Sequence, residues 1–116
     1  MTRPSEIPLS PRDYLIMLVL AREPAHGYGI IKRAETLSGD PIPLDPANLY
    51  RALRRLDRDG LVRVEEAPQD EGSGGRRTYA LTERGRDVVE AEAARLARLT
   101  DTARAWRLIP DAGRRA

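Results

Sequence analysis

Three short helical patterns, an alternating pair of strand patterns and one long helical pattern follow one another along 116 residues. This order predicts a mainly α fold with a small β-hairpin: a winged helix-turn-helix with a long C-terminal dimerisation helix. Two further observations agree with it. The third helical pattern places leucines on one side and arginines on the other, and the hairpin tip is glycine-rich and followed by Arg76 and Arg77. The expected division is a flexible arm at 1–9, the winged helix-turn-helix at 10–82, the dimerisation helix at 83–108 and a disordered tail at 109–116.

Residues 1–9 contain two prolines and no period. Ser10 then has the character of an N-cap, with Pro11 at the first helical position and Asp13 at the third. The run Tyr14-Leu-Ile-Met-Leu-Val-Leu-Ala is apolar nearly all round, which suits a central helix packed on several sides, and Pro24 stops it. A second helix is expected over 27–37, its buried face made by Ile30, Ile31, Ala34 and Leu37 and its end marked by Ser38-Gly39. The two prolines of 40–44 demand extended or turn backbone. Asp45 caps a third helix over 46–59, with Pro46 at its first position and Gly60 closing it. Residues 61–65 alternate as a half-buried strand, 68–75 form a polar loop, and 76–81 alternate as the return strand. Thr82 caps the last helix, with Glu83 in its first turn.

Composition narrows the function classes. A hydrophobic fraction of 41%, with four Tyr, one Trp and no Phe, makes a small core and implies that a partner subunit completes it. The absence of Cys removes disulfides and thiolate metal sites and fits a cytoplasmic location. No cofactor is implied. The longest nearly apolar run, residues 14–21, is too short for a membrane span, and the N-terminus does not read as a signal peptide. Net charge is only +2, so distribution matters more than total. Residues 45–63 carry five Arg against three Asp, 64–75 carry acids only, and 76–86 carry four Arg against one Glu. Two basic segments flanking an acidic loop can form one phosphate-binding face.

At about 100° per residue, Leu49, Ala52, Leu53 and Leu56 share one stripe of the third helix, and Arg51, Arg54, Arg55 and Arg58 oppose it. Asn48 and Tyr50 flank the arginines near the N-terminal end, which in a recognition helix reaches base edges. Arg pairs bidentately with guanine and Asn with adenine, while a Tyr hydroxyl suits a phosphate. The candidate DNA-binding residues are therefore Asn48, Tyr50, Arg51, Arg54 and Arg55, with Gly75, Arg76 and Arg77 from the wing. Arg58 ranks last, beside Asp57 and Asp59. The plain alternative is an ordinary charged surface, with Arg54–Asp57 and Arg55–Asp59 as helix pairs.

The last helix exceeds what so small a domain can cover. Val89, Leu96 and Ala103 stand seven apart, and Leu99 and Trp106 form a second seven-spaced row with Glu92. Two such rows make a coiled-coil-like seam, most simply between two copies in a two-fold dimer. Two reading heads then require an inverted repeat with half-sites ~10 base pairs apart or a multiple of that.

Three segments, His26-Gly-Tyr-Gly-Ile-Ile, Asn48-Leu-Tyr-Arg-Ala-Leu-Arg-Arg-Leu-Asp-Arg-Asp-Gly-Leu-Val and Gly75-Arg-Arg-Thr-Tyr-Ala-Leu-Thr-Glu-Arg-Gly, give the chain a further reading. With their spacing it resembles the PadR family of transcriptional regulators, in particular its small subclass with one C-terminal helix. The resemblance implies a cytoplasmic homodimeric repressor that binds double-stranded DNA through the third helix and wing and is sometimes released by a small aromatic effector. Two departures stand out. Ala47-Asn48 replaces the Gly-Thr or Gly-Ser that usually precedes Leu-Tyr, which alters base preference. The middle of the last helix offers Leu96 and no aromatic, where some small members trap planar compounds.

Catalysis lacks its parts: there is one His, no Cys and no Ser in a nucleophile elbow. His26 suits a cap or an exposed turn better than a base. Two alternatives remain, a winged helix used for protein interaction and a non-specific architectural DNA binder.

Overall fold

The computed structural model describes residues 6–39, 44–66 and 77–110. Helix α1 spans Pro11–Arg22, strand β1 Ala25–His26, α2 Gly27–Ser38, α3 Pro46–Arg58, β2 Val62–Glu66, β3 Arg77–Leu81 and α4 Glu83–Ala105. The fold is mainly helical with a small antiparallel sheet. The caps anticipated from sequence close the helix starts. Ser10 Oγ accepts the Asp13 amide at 3.1 Å, Asp45 Oδ1 the Asn48 amide at 2.8 Å, and Thr82 Oγ1 the Gly85 amide at 2.9 Å. His26 is a fourth cap: its Nδ1 accepts the Gly29 amide at 3.3 Å and starts α2.

The sheet has three strands, ordered β1-β3-β2, rather than the two of a simple hairpin. Ala25 pairs with Tyr79 and His26 with Thr78, so the two residues before α2 become an edge strand. Val62 faces Leu81 and Val64 faces Tyr79 across the other ladder. Two residues carry no periodicity, which is why β1 is invisible to pattern reading. The core joins Ile16 and Met17 of α1, Ile30 of α2, Leu49, Leu53 and Leu56 of α3, and Leu61, Val62 and Val88. Leu37 does not join it. It is exposed at the far end of α2, and the buried face of that helix is Ile30 and Ala34 with half-buried Ile31.

Residues 6–9, expected within a flexible arm, are packed in place. Ile7 and Leu9 lie against the core, Glu6 pairs with Arg84, and the Leu9 amide donates to Glu92 Oε2 at 2.9 Å. The expected arm residues 1–5, the turn 40–43, the wing tip 67–76 with Gly75 and Arg76, and the tail 111–116 lie outside the described residues.

Helix α4 divides into two halves. The first packs on α1 and β3, and it places Val89, expected on the intersubunit seam, in the chain's own core at 4% exposure. Glu92, also expected on that seam, is 1% exposed; its carboxylate takes two bonds from Arg95, at 2.6 and 2.9 Å, besides the Leu9 amide. A buried carboxylate is tolerable only with such partners. The correction has one cause: α1 and the N-terminal segment cover this stretch, leaving no room for a second subunit. Gly85 permits the attachment, because any Cβ there would overlap the Leu61 backbone carbonyl. From Leu96 onward the cover ends. Leu96 and Ala103 are half-buried, while Leu99 and Trp106 are 56% and 71% exposed.

Candidate nucleic-acid interface

Burial of Leu49, Ala52, Leu53 and Leu56 turns the opposite side of α3 outward. That side floors a groove of about 350 Å³ lined by Asn48, Arg51, Ala52, Arg54, Arg55 and Arg58 of α3 and by Arg12 of α1. All four arginines of the stripe thus share one concavity, and no carboxylate among the described residues lines it. A cleft lined by one sign of charge concentrates its field, so it attracts polyanions. Arg12 was absent from the sequence-based candidates, since nothing in a linear pattern brings the first turn of α1 beside α3.

The four arginines differ in their partners. Arg55 Nη2 donates to both carboxylate oxygens of Asp13 at 2.6 Å, 42 positions away in sequence. The Asp13 side chain is 13% exposed and that of Arg55 43%, so this pair ties α3 to α1 from the protein side of the groove. Arg58 lies 3.7 Å from Asp59. Arg51 Nη2 donates to Asn48 Oδ1 at 2.6 Å, and Asn48 Nδ2 donates in turn to Asp45 Oδ2 at 3.0 Å. The N-cap, the amide and the guanidinium form one exposed chain that aims Arg51. Arg54 is exposed and makes no ion pair among the described residues, and the anticipated pairs Arg54–Asp57 and Arg55–Asp59 are not formed there.

Tyr50 and the base of the wing build the other flank. The Tyr50 hydroxyl abuts Gly27 at the start of α2, where any Cβ would overlap it. Its ring lies 6.5 Å from that of Tyr79, tilted by 51°. Arg54, Asp57 and Arg77 complete a smaller hollow of about 120 Å³ between α3 and the wing. Burial, then the neighbouring Tyr50, holds the Tyr79 phenol above its usual value, against a hydrogen bond from Arg77 that lowers it. Arg77 therefore anchors the strand as well as facing solvent.

The second basic segment does not add to this face as a block. Arg86 Nη2 donates to the Ala21 carbonyl at 2.9 Å, closing the end of α1, and Arg84 pairs with Glu6. Arg63 is likewise taken up, by the Leu81 carbonyl at 2.9 Å and Glu65 at 3.0 Å. Among the described residues there is no His, Cys, Asp and Glu group that could hold a metal ion, and no helix long and apolar enough to cross a membrane.

Comparison with known proteins agrees with this geometry. Residues 16–91 match the Transcriptional regulator PadR-like family. An uncharacterized 37.1 kDa protein in transposon TN4556 of Streptomyces fradiae is 42% identical over 86 residues, covering 74% of this chain and 23% of that protein. Transcriptional regulator YqjI of Escherichia coli is 32% identical over 76 residues, 66% of this chain and 34% of its own length. The chain thus spans a quarter to a third of these relatives. Among solved structures, a PadR-like transcription factor from Bacteroides fragilis superposes with a TM-score of 0.68 at 29% identity, covering 81% of this chain and 87% of that one. A PadR family regulator from Eggerthella lenta gives 0.62 at 34% identity, covering 82% of each. The arginine groove sits on the third helix of a fold shared with these regulators, and the chain is a member of the PadR-like family of transcriptional regulators.

Proposed function

We propose that the chain is a sequence-specific repressor that binds an inverted-repeat operator as a homodimer. The observation that carries the reading is the groove on α3, where Arg51 and Arg54 stand exposed without a carboxylate partner among the described residues. Arg51 and Arg54 reach guanine edges, and Asn48 aims Arg51 while keeping one N–H for a base. Arg55 holds α3 to α1 through Asp13 and acts by position. Tyr50 of α3, whose hydroxyl abuts the first turn of α2, and the wing residues Gly75, Arg76 and Arg77 contact the backbone and set the register.

Dimerisation uses the second half of α4. The seam starts at Leu96 and runs through Leu99, Ala103 and Trp106, since Val89 and Glu92 are occupied within the chain. A helix that leaves Leu99 and Trp106 in water is favoured to bury them against a second copy. A small aromatic effector gains no support from α4 itself, because residues 89–99 contain no aromatic side chain.

Selection of bound duplexes from a random pool at physiological salt tests the reading. An inverted repeat should emerge, preferred at least ~10³-fold over unrelated DNA. Recovery of no preferred sequence would reduce the protein to a non-specific binder.

A further inference from the structure

We propose that the first turn of α1 is part of the DNA interface, with Arg12 holding a backbone phosphate across the groove from α3. The inference rests on the DNA-binding reading of that groove and adds a contact outside both α3 and the wing. Among the described residues, Arg12 is the single one lining the groove that α3 does not supply. Its neighbour Asp13 is instead bonded to Arg55 at 2.6 Å. Consecutive residues therefore divide the work: Asp13 fixes the first turn of α1 against α3, and Arg12 stays exposed at the edge of the same concavity.

The charge balance of the groove points to an anion. Five guanidiniums line it. Asp13 compensates Arg55 and Asp59 lies beside Arg58, while Arg51 is bonded to a neutral amide. Arg12 and Arg54 have no acidic partner among the described residues. Clustered cations of one sign repel, and a row of phosphates relieves that repulsion. The N-terminal end of α1 adds its positive dipole in the same sense. Because Arg12 projects from a flanking helix at the rim, and α3 alone floors the groove, its contact falls on the backbone rather than on base edges.

The test compares wild type with Arg12→Gln and Arg12→Lys in equilibrium titrations against a duplex of mixed sequence and against the duplex recovered by selection, over a range of salt. Arg12→Gln should bind both duplexes about tenfold more weakly at low salt. Its plot of log affinity against log salt should be shallower by about 0.9. Arg12→Lys should keep the wild-type slope. An Arg12→Gln protein with wild-type affinity and slope, beside an Arg54→Ala protein that is impaired, would overturn the α1 contact and leave the α3 reading intact. A loss confined to the selected duplex would also overturn it, by making Arg12 a base reader. An equal loss in Arg12→Lys, with a lowered melting temperature, would assign Arg12 to the fold instead. Failure of wild type to bind either duplex would overturn both readings.

Discussion

Arg54 and Arg55 are adjacent and chemically identical, yet their surroundings predict opposite phenotypes for replacement by alanine. Arg55 makes two 2.6 Å bonds to Asp13, whose side chain is only 13% exposed. Removing the guanidinium leaves that carboxylate largely out of water without its ion-pair partner. Charge-assisted bonds of this kind contribute roughly 1.5–3 kcal/mol, and the 43% exposure of Arg55 discounts that for solvent screening. Arg55→Ala should therefore cost about 1–2 kcal/mol of stability, lowering the melting temperature by roughly 4–10 °C. Arg54 lacks an ion-pair partner among the described residues, so Arg54→Ala should melt within about 0.5 kcal/mol of wild type. On the operator it should lose ~1–3 kcal/mol of binding. Thermal unfolding followed by circular dichroism, with Asp13→Ala and the double variant completing a cycle, separates the two. If Arg55→Ala melts like wild type, or if Arg54→Ala is as unstable as Arg55→Ala, the division of labour along this stripe is wrong.

Leu99 lies on the uncovered half of α4, so Leu99→Asp should leave the helical signal unchanged while converting dimers to monomers in sedimentation and weakening operator binding; a tight-binding monomer contradicts the seam. The Tyr79 phenol is raised above 10.0, first by burial, so the unfolded chain ionises before the folded one. Its contribution to stability is complete below that value and declines as pH rises towards the folded pKa. Tyr79→Phe should accordingly flatten the alkaline fall in melting temperature, and an unchanged alkaline slope would refute the assignment.

What could be read from sequence was what depends on near neighbours. Ser10, Asp45 and Thr82 cap helices through bonds three residues long, and the stripe of Leu49, Leu53 and Leu56 follows from helical periodicity, so the starts of α1, α3 and α4 and the outward face of α3 were legible, whereas the last helix, expected to reach 108, ends at Ala105. What required tertiary packing was not. The Asp13–Arg55 pair spans 42 positions and gives one of the candidate readers a second role, as a tether between α3 and α1. Arg12 joins the groove because α1 and α3 meet in the shared core, where that pair also ties them. The heptad spacing of Val89 and Glu92 was real, but α1 and residues 6–9 occupy the face it defines. Leu37 carried a correct helical phase beyond the point where any neighbour covers it. Strand β1 exists only because β3 is there to pair with it.

On the proposed reading, the exposed face of α3 reads bases rather than merely attracting phosphate. The most direct measurement is selection of bound duplexes by wild type and by Arg51→Ala in parallel at physiological salt. The variant should recover the same inverted repeat with preference lost at one symmetry-related position, and bind it ~1–3 kcal/mol more weakly. Preferences identical at every position, with affinity reduced equally on all sequences, would show that the groove holds only the DNA backbone and would contradict it.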